Sequence, residues 1–253
     1  MRTVLVTGAS GGIGAATAHR FAEAGDRVAV HYATNQKAAQ ETLSQLPGKG
    51  HTLVHGDLGD PDVAPRLVAE VVAALGSIDV LVLNAAVAPS ESNRHLLGEV
   101  SYSEWTAVFR RMVDVNLLGA ANLAWAMADH LIGRNAPGAI VNVGSRGAFV
   151  GEPIYPAYAA TKAALHALGQ SLAVALAPHG IAVTSIAPGF VATARQLPKL
   201  EGPAGDSLRA QSPFGRVGTA KEIAAAIFWL ASADAAWSSG TILDANGASY
   251  LRS

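Results

Sequence analysis

Cysteine is absent from the chain, which excludes a disulfide framework, a thiolate-held metal and a cysteine nucleophile. Charge is scarce as well. Charged side chains make up 15% of the residues, and 18 Lys+Arg against 19 Asp+Glu leave a net charge of −1. With no block of like charge to track a phosphate backbone, nucleic acid is not expected as a partner. No apolar run approaches the ~20 residues of a membrane span. The N-terminus passes straight into Arg2-Thr3-Val4-Leu5-Val6 with no signal-peptide pattern, so a soluble, cytoplasmic protein is expected. The scattered Asp and Glu residues show no metal-ligand spacing, and no metal is expected.

What is present is apolar and periodic. Half of the 253 residues are hydrophobic, enough for one large α/β domain. Thr3–Thr7 reads as a buried strand that opens into Gly8-Ala9-Ser10-Gly11-Gly12-Ile13-Gly14 and an alanine-rich helix to about Ala24. A strand over 27–32, a helix over 36–46, a strand over 51–55, a helix over 62–75 and a strand over 80–83 follow. One long helix is expected over 103–132, a strand over 139–143, and a helix from Tyr155 to Leu176. A strand over 181–187, a helix over 220–231 and a short strand near 241–243 complete the pattern. Alternating β and α with continuously apolar strands means a parallel sheet covered on both faces. A single domain over residues 1–253 is expected, a Rossmann-like, doubly wound parallel sheet of about seven strands. Two stretches, 89–101 and 196–213, carry no clean period and follow strand ends, where such sheets bind ligands. They read equally as surface loops or as substrate loops, the second leaning to function.

Glycines after a first strand let the backbone approach a pyrophosphate, and the following helix directs amides at it. The spacing Gly8-x-x-x-Gly12-x-Gly14 differs from the common G-x-G-x-x-G, yet it joins the first strand to a helix, so dinucleotide binding is expected. The second strand ends in His31-Tyr32-Ala33-Thr34-Asn35-Gln36-Lys37 and offers no carboxylate to an adenosine ribose. Thr34 and Asn35 could donate to a 2′-phosphate with Lys37 nearby, which favours NADP(H) over NAD(H). Tyr158 and Lys162 lie one helical turn apart. A lysine ammonium there would lower a tyrosine pKa from about 10 and make an acid/base couple. A buried tyrosine beside a solvated lysine is the ordinary reading of such a pair taken alone.

Together these residues resemble the short-chain dehydrogenase/reductase family, and the resemblance covers nearly the whole chain. Gly56-Asp57-Leu58 resembles the segment that meets the adenine. Asn84-Ala85-Ala86 resembles the family's Asn-Asn-Ala-Gly, and Asp114-Val115-Asn116 the motif carrying a structural and catalytic asparagine. Ser145, thirteen residues before Tyr158, resembles the catalytic serine of 3-oxoacyl-[acyl-carrier-protein] reductases. Pro188-Gly189-Phe190-Val191-Ala192-Thr193 resembles the segment that holds the nicotinamide carboxamide. Leu83, Gly11 and Asn246 depart from the family pattern, and none removes a catalytic residue.

The resemblance implies hydride transfer between a nicotinamide and a carbonyl or alcohol carbon. Tyr158 would give the proton and Ser145 would hold the same oxygen. Lys162 would lower the tyrosine pKa and hold the nicotinamide ribose, and Asn116 would fix a water that connects Lys162 to solvent. The cofactor set it implies is Gly8, Ser10, Gly12, Ile13, Gly14, Tyr32, Thr34, Asn35, Asp57, Leu58, Asn84, Ala85, Tyr158, Lys162, Pro188, Gly189, Val191 and Thr193.

The substrate is expected to be a small carbonyl or alcohol, with a 3-oxoacyl thioester as the leading candidate. A secondary alcohol, sugar or steroid is the alternative, and a dinucleotide sensor without turnover lies outside the enzyme class altogether. Arg146 reads as a rim residue or as a cation facing an anionic substrate. His166 and His179 read as core or surface packing, the four tryptophans as packing, and His95 as a loop residue at the possible site mouth. The helix 163–177 is apolar nearly all round and the segment 115–127 is short of charge, so a second burial partner is expected: a homotetramer or homodimer.

Overall fold

The computed structural model describes residues 1–252. Seven parallel strands form one sheet in the order β3-β2-β1-β4-β5-β6-β9. The strands are β1 Thr3–Val6, β2 Arg27–Tyr32, β3 Thr52–His55, β4 Val80–Leu83, β5 Gly138–Val143, β6 Ile181–Pro188 and β9 Ile242–Ala245; a two-residue pair, β7 Val191–Ala192 and β8 Gly218–Thr219, stands apart from them. The helices are α1 Gly12–Glu23, α2 Gln36–Gln45, α3 Val63–Leu75, α4 Tyr102–Val113, α5 Gly119–Gly133, α6 Pro156–Leu176, α7 Leu197–Glu201, α8 Gly205–Ala210 and α9 Ala220–Leu230.

Alternation along each strand sorts the core into two layers. Leu5, Leu81, Ile140 and Val183 point to one face, where Leu67, Leu123, Met127 and Leu165 from α3, α5 and α6 cover them. Val4, Val6, Val28, Val82 and Val141 point to the other face, against Phe21 of α1 and Ile227 and Leu230 of α9. The order turns back at β1, with β2 on one side and β4 on the other. A crevice at the carboxyl ends of β1 and β4 is the position where such sheets hold ligands.

Three elements differ from expectation. The long helix over 103–132 is interrupted by a π-turn, Asp114–Leu118. The stretch 196–213 contains α7 and α8; Pro198, Gly202 and Gly205 keep both too short to show a period. The stretch 89–101 holds one short turn of helix, Glu91–Asn93.

Candidate active site

The glycine loop fills the crevice because nothing larger would fit. Gly8 and Gly12 adopt φ of 62° and 56°, a region that glycine enters at no steric cost. A β-carbon on Gly8 would lie 2.9 Å from Ala85 Cα, and one on Gly14 would collide with the Gly8 carbonyl. Helix α1 begins with no side-chain cap and no acidic residue in its first turn, so its orphan amides face the crevice. Beside it, the buried Thr193 hydroxyl has no hydrogen-bond partner, and Thr193 Cγ2 stands 3.2 Å from where a Gly12 β-carbon would be. An uncapped helix start and an orphaned buried hydroxyl at one crevice fit the pyrophosphate and amide groups of a dinucleotide.

Several expected cofactor residues also make ties within the protein. Asn84 Nδ2 donates to the carbonyls of Thr7 (2.8 Å) and Gly8 (3.1 Å). Asp57 is gripped by Arg111 at 3.0 and 2.9 Å and accepts from the Gly59 amide; Arg111 hydrogen-bonding heads the influences that depress its pKa against the opposing desolvation. Asn35 Oδ1 caps α2 through the Ala38 amide at 3.0 Å, leaving its amide nitrogen free. Thr34 and Lys37 are exposed at the end of β2, Tyr32 is half-buried beside them, and no acid intervenes. Ser10 sits on the glycine loop, Ile13 in the first turn of α1, and Leu58, Ala85, Pro188, Gly189 and Val191 on the segments around the strand ends.

Sequence reasoning gave His31 no role. Its Nδ1 accepts from the Gly8 amide at 3.1 Å, and its Nε2, 2.9 Å from the Gly56 carbonyl, is therefore the protonated nitrogen. Burial lowers its pKa to about 4, partly opposed by that bond to Gly56. The residue thus braces the glycine loop against the end of β3.

The second half of the site is carried by β5 and α6. Ser145 follows β5 and accepts from the Gly147 amide at 3.0 Å. Helix α6 starts at Pro156, whose fixed φ suits a first helical position. Lys162 is 2% exposed and donates to the Val143 carbonyl at 2.7 Å; burial lowers its pKa to about 8. The expected depression of the Tyr158 pKa by Lys162 is not found. Desolvation raises the tyrosine, with the Ser145 hydroxyl as the leading opposing influence. The lysine's proton points at Val143, and its Nζ lies 5.8 Å from the Tyr158 ring centre.

Asn116 is held by protein partners. It sits in the π-turn, accepts from the Val87 amide at 2.7 Å, and donates to the Val87 carbonyl and to Thr161 Oγ1. It therefore ties the loop after β4 to the turn of α6 that carries Lys162, whose own hydrogen bond goes to Val143.

His95 is fully buried rather than at a site mouth. Arg146 turns to Ser249 Oγ at 3.0 Å. His166 is buried and stacks on Phe149 at 5.3 Å, as packing requires, yet neither ring nitrogen finds a partner. Trp105 packs against His95 and Phe109. The other three tryptophans do not pack as expected: Trp125, Trp229 and Trp237 are exposed.

The whole layout has known relatives. A family model described as enoyl-(acyl carrier protein) reductase matches residues 8–247. The chain belongs to the short-chain dehydrogenase/reductase family. Like other members, it is an NAD(P)-dependent oxidoreductase. It is 36% identical to an L-rhamnose 1-dehydrogenase (NAD(P)(+)) from a Sphingomonas species over 99% of this chain and 96% of the relative. It is 34% identical to the 3-oxoacyl-[acyl-carrier-protein] reductase FabG of Staphylococcus aureus, over 99% and 98% of the two chains. A short-chain dehydrogenase from Burkholderia cenocepacia, solved in complex with NADP, superposes with a TM-score of 0.85 at 29% identity, covering 97% of this chain and 96% of that one. Among the described residues no helix is long and apolar enough to cross a membrane.

Proposed function

We propose that this protein interconverts a carbonyl and a secondary alcohol with NADP(H), using Tyr158 as the proton donor and acceptor. The observation that carries the reading is the layering of one cleft. The Ser145 hydroxyl and the Tyr158 phenol meet at its surface, and the Lys162 ammonium is buried beneath them. The bound nicotinamide supplies or takes up the hydride. In the reducing direction Ser145 hydrogen-bonds the carbonyl oxygen as charge builds on it, and Tyr158 delivers the proton to that oxygen. Lys162 would hold the nicotinamide ribose, and the Ser145 hydroxyl is the leading group that opposes the burial-driven rise of the Tyr158 pKa. Asn116 acts as a positioning residue, fixing Thr161 and the first turns of α6.

The absence of a carboxylate after β2, with Thr34, the Asn35 amide and Lys37 free there, supports NADP(H) over NAD(H). Relatives named for a 3-oxoacyl thioester and for a sugar match almost equally well, so the reaction common to both is the reading. Exposed Trp125 on α5, Val174 on α6 and Trp229 on α9 support a homodimer or homotetramer.

The test is NADPH and NADH oxidation against a panel of carbonyls, with Tyr158→Phe alongside. Wild type should turn over at least one carbonyl faster with NADPH, and Tyr158→Phe should lose on the order of 1,000-fold in kcat while its NADPH Kd stays within twofold. Near-wild-type turnover in Tyr158→Phe would sink the assignment.

A further inference from the structure

We infer that the substrate carries a vicinal diol beside its reacting carbon, as a sugar or sugar acid does, and that Glu152 is the side chain that selects it. The inference rests on the oxidoreductase reading above. Glu152 lies on the turn between Ser145 and α6, which the Tyr155 amide closes onto the Glu152 carbonyl at 3.1 Å. Its carboxylate and the Ser145 hydroxyl both approach the side of Gly147 where a β-carbon would stand. A β-carbon on Gly147 would stand 3.0 Å from Glu152 Oε1 and 3.2 Å from Ser145 Oγ. A carboxylate oxygen and the hydroxyl that receives the reacting oxygen therefore flank the same glycine.

That carboxylate is half-buried, and among the described residues it accepts no side-chain or backbone hydrogen bond and forms no ion pair. The neighbouring cation does not take it, because Arg146 is turned away to Ser249. Desolvation raises its pKa, with Arg146 opposing at a distance. Its charge also reaches the reaction centre: burial chiefly raises the Tyr158 pKa, Glu152 adds to the rise, and Arg195 works against it. Arg195, whose charge bears on both Tyr158 and Lys162, is exposed and without an ion pair among the described residues, and Lys199 of α7 lies over the Tyr155 ring at 5.8 Å.

This arrangement discriminates among substrate classes. An acyl chain laid over Glu152 would strip water from a carboxylate and give it no donor, which is strongly unfavourable. An ammonium substrate would meet Arg195 and Lys199. Two adjacent hydroxyls provide what is missing, since one carboxylate accepts from both. A site built to bond a substrate hydroxyl discriminates sharply against an analogue that lacks it.

The experiment compares kcat/KM of wild type with NADPH or NADP+ on a ketose, an aldose and an aldonate, on cyclohexanone as a hydroxyl-free ketone, and on a 3-oxoacyl N-acetylcysteamine thioester. A polyhydroxylated substrate should be preferred over both others. The polyol-to-cyclohexanone ratio of kcat/KM should fall roughly 10–100-fold in Glu152→Gln and further in Glu152→Leu, with NADPH Kd unchanged by fluorescence titration. Preference for the thioester, or an unchanged ratio in Glu152→Leu, would overturn the assignment and leave the oxidoreductase reading intact. Turnover of no carbonyl at all would overturn both.

Discussion

His95 Nε2 accepts a hydrogen bond from the Ala157 amide at 3.1 Å, one residue before Tyr158. Its other nitrogen lies 2.7 Å from the Asn93 carbonyl and must donate to it, which fixes a neutral ring with its proton on Nδ1. Edge contacts from Trp105 and Tyr155 enclose it. The first turn of α6 has no side-chain cap of its own, so a residue from the 89–101 stretch supplies the missing acceptor.

The first prediction follows from that tie. His95→Leu removes an acceptor from a buried amide and should cost about 1–3 kcal/mol in urea unfolding. Turnover should fall by about tenfold or more, while NADPH affinity barely changes, since none of the partners of His95 lies on the glycine loop. His95→Gln, which can still accept, should recover part of both. Wild-type stability in His95→Leu would show that the helix start needs no partner.

Acid should destabilise the fold through two buried histidines. His31 and His166 are both lowered to about 4, chiefly by burial; around His31, His55 reinforces the shift and Asp57 opposes it. Unfolded, each titrates near 6.5. Between pH 6.5 and 4 the unfolded chain therefore binds more protons than the folded one, and stability falls as pH drops through that window. The slope should reach at most about 1.4 kcal/mol per pH unit for each histidine. Urea midpoints from pH 4.5 to 7.5 measure it, and His31→Asn should remove about half; an undiminished slope in that variant contradicts the account.

Position 144 should tolerate nothing but glycine. A β-carbon there would overlap the His166 ring, and the ring has Phe149 stacked on it. Gly144→Ala should cost about 1–3 kcal/mol through overpacking. Pairing it with His166→Ala should recover most of the cost of the glycine change in a double-mutant cycle followed by calorimetry. Strict additivity of the two changes would exclude this contact as the cause.

Assembly can be tested on the outer face of α6. Val174 and Trp237 flank an open groove of about 540 Å³, floored by Ala173, Ala177 and Gly240. Wild type should run as a dimer or tetramer by light scattering at micromolar concentration. Val174→Asp combined with Trp237→Ser should yield a smaller species, because a buried carboxylate without a partner opposes association. An unchanged mass would remove this face from the interface.

The sheet was legible in the sequence because its strands are apolar on both faces and lie between helices of 3.6-residue period. Strand β4 over 80–83 matches its expected bounds residue for residue. The glycine loop was legible from its place between the first strand and a helix, whereas Ser145, Tyr158 and Lys162 became legible through the family resemblance that they and the loop carry together. What escaped depends on side-chain direction. Spacing cannot reveal that Lys162 points at Val143 or that Asp57 is held by Arg111. His31, His95 and Glu152 are single polar residues in unremarkable surroundings; the partners of His31 lie 23 and 25 residues away and the amide that His95 accepts from lies 62 away. Glu152 did leave a faint trace, as a lone carboxylate between the serine and the tyrosine. The exposure of Trp125, Trp229 and Trp237 could not be seen either, because a helix face turned to solvent and one turned to the core can share a composition.

The π-turn at Asp114–Leu118 bears on how this chain can change over time. Each residue of an α-helix advances the chain by about 100°, and a π-turn is in effect one surplus residue accommodated without breaking the rod. Upstream of it, Arg111 reaches Asp57; within it, Asn116 reaches Val87 and Thr161; downstream, Leu123 and Met127 enter the core. Deleting a single residue there would leave helix content and composition almost untouched, yet the two ends could no longer both face their partners. The segment can therefore drift in letters while its length stays locked, and an insertion or deletion confined to it would separate the loop after β4 from the helix that bears Tyr158.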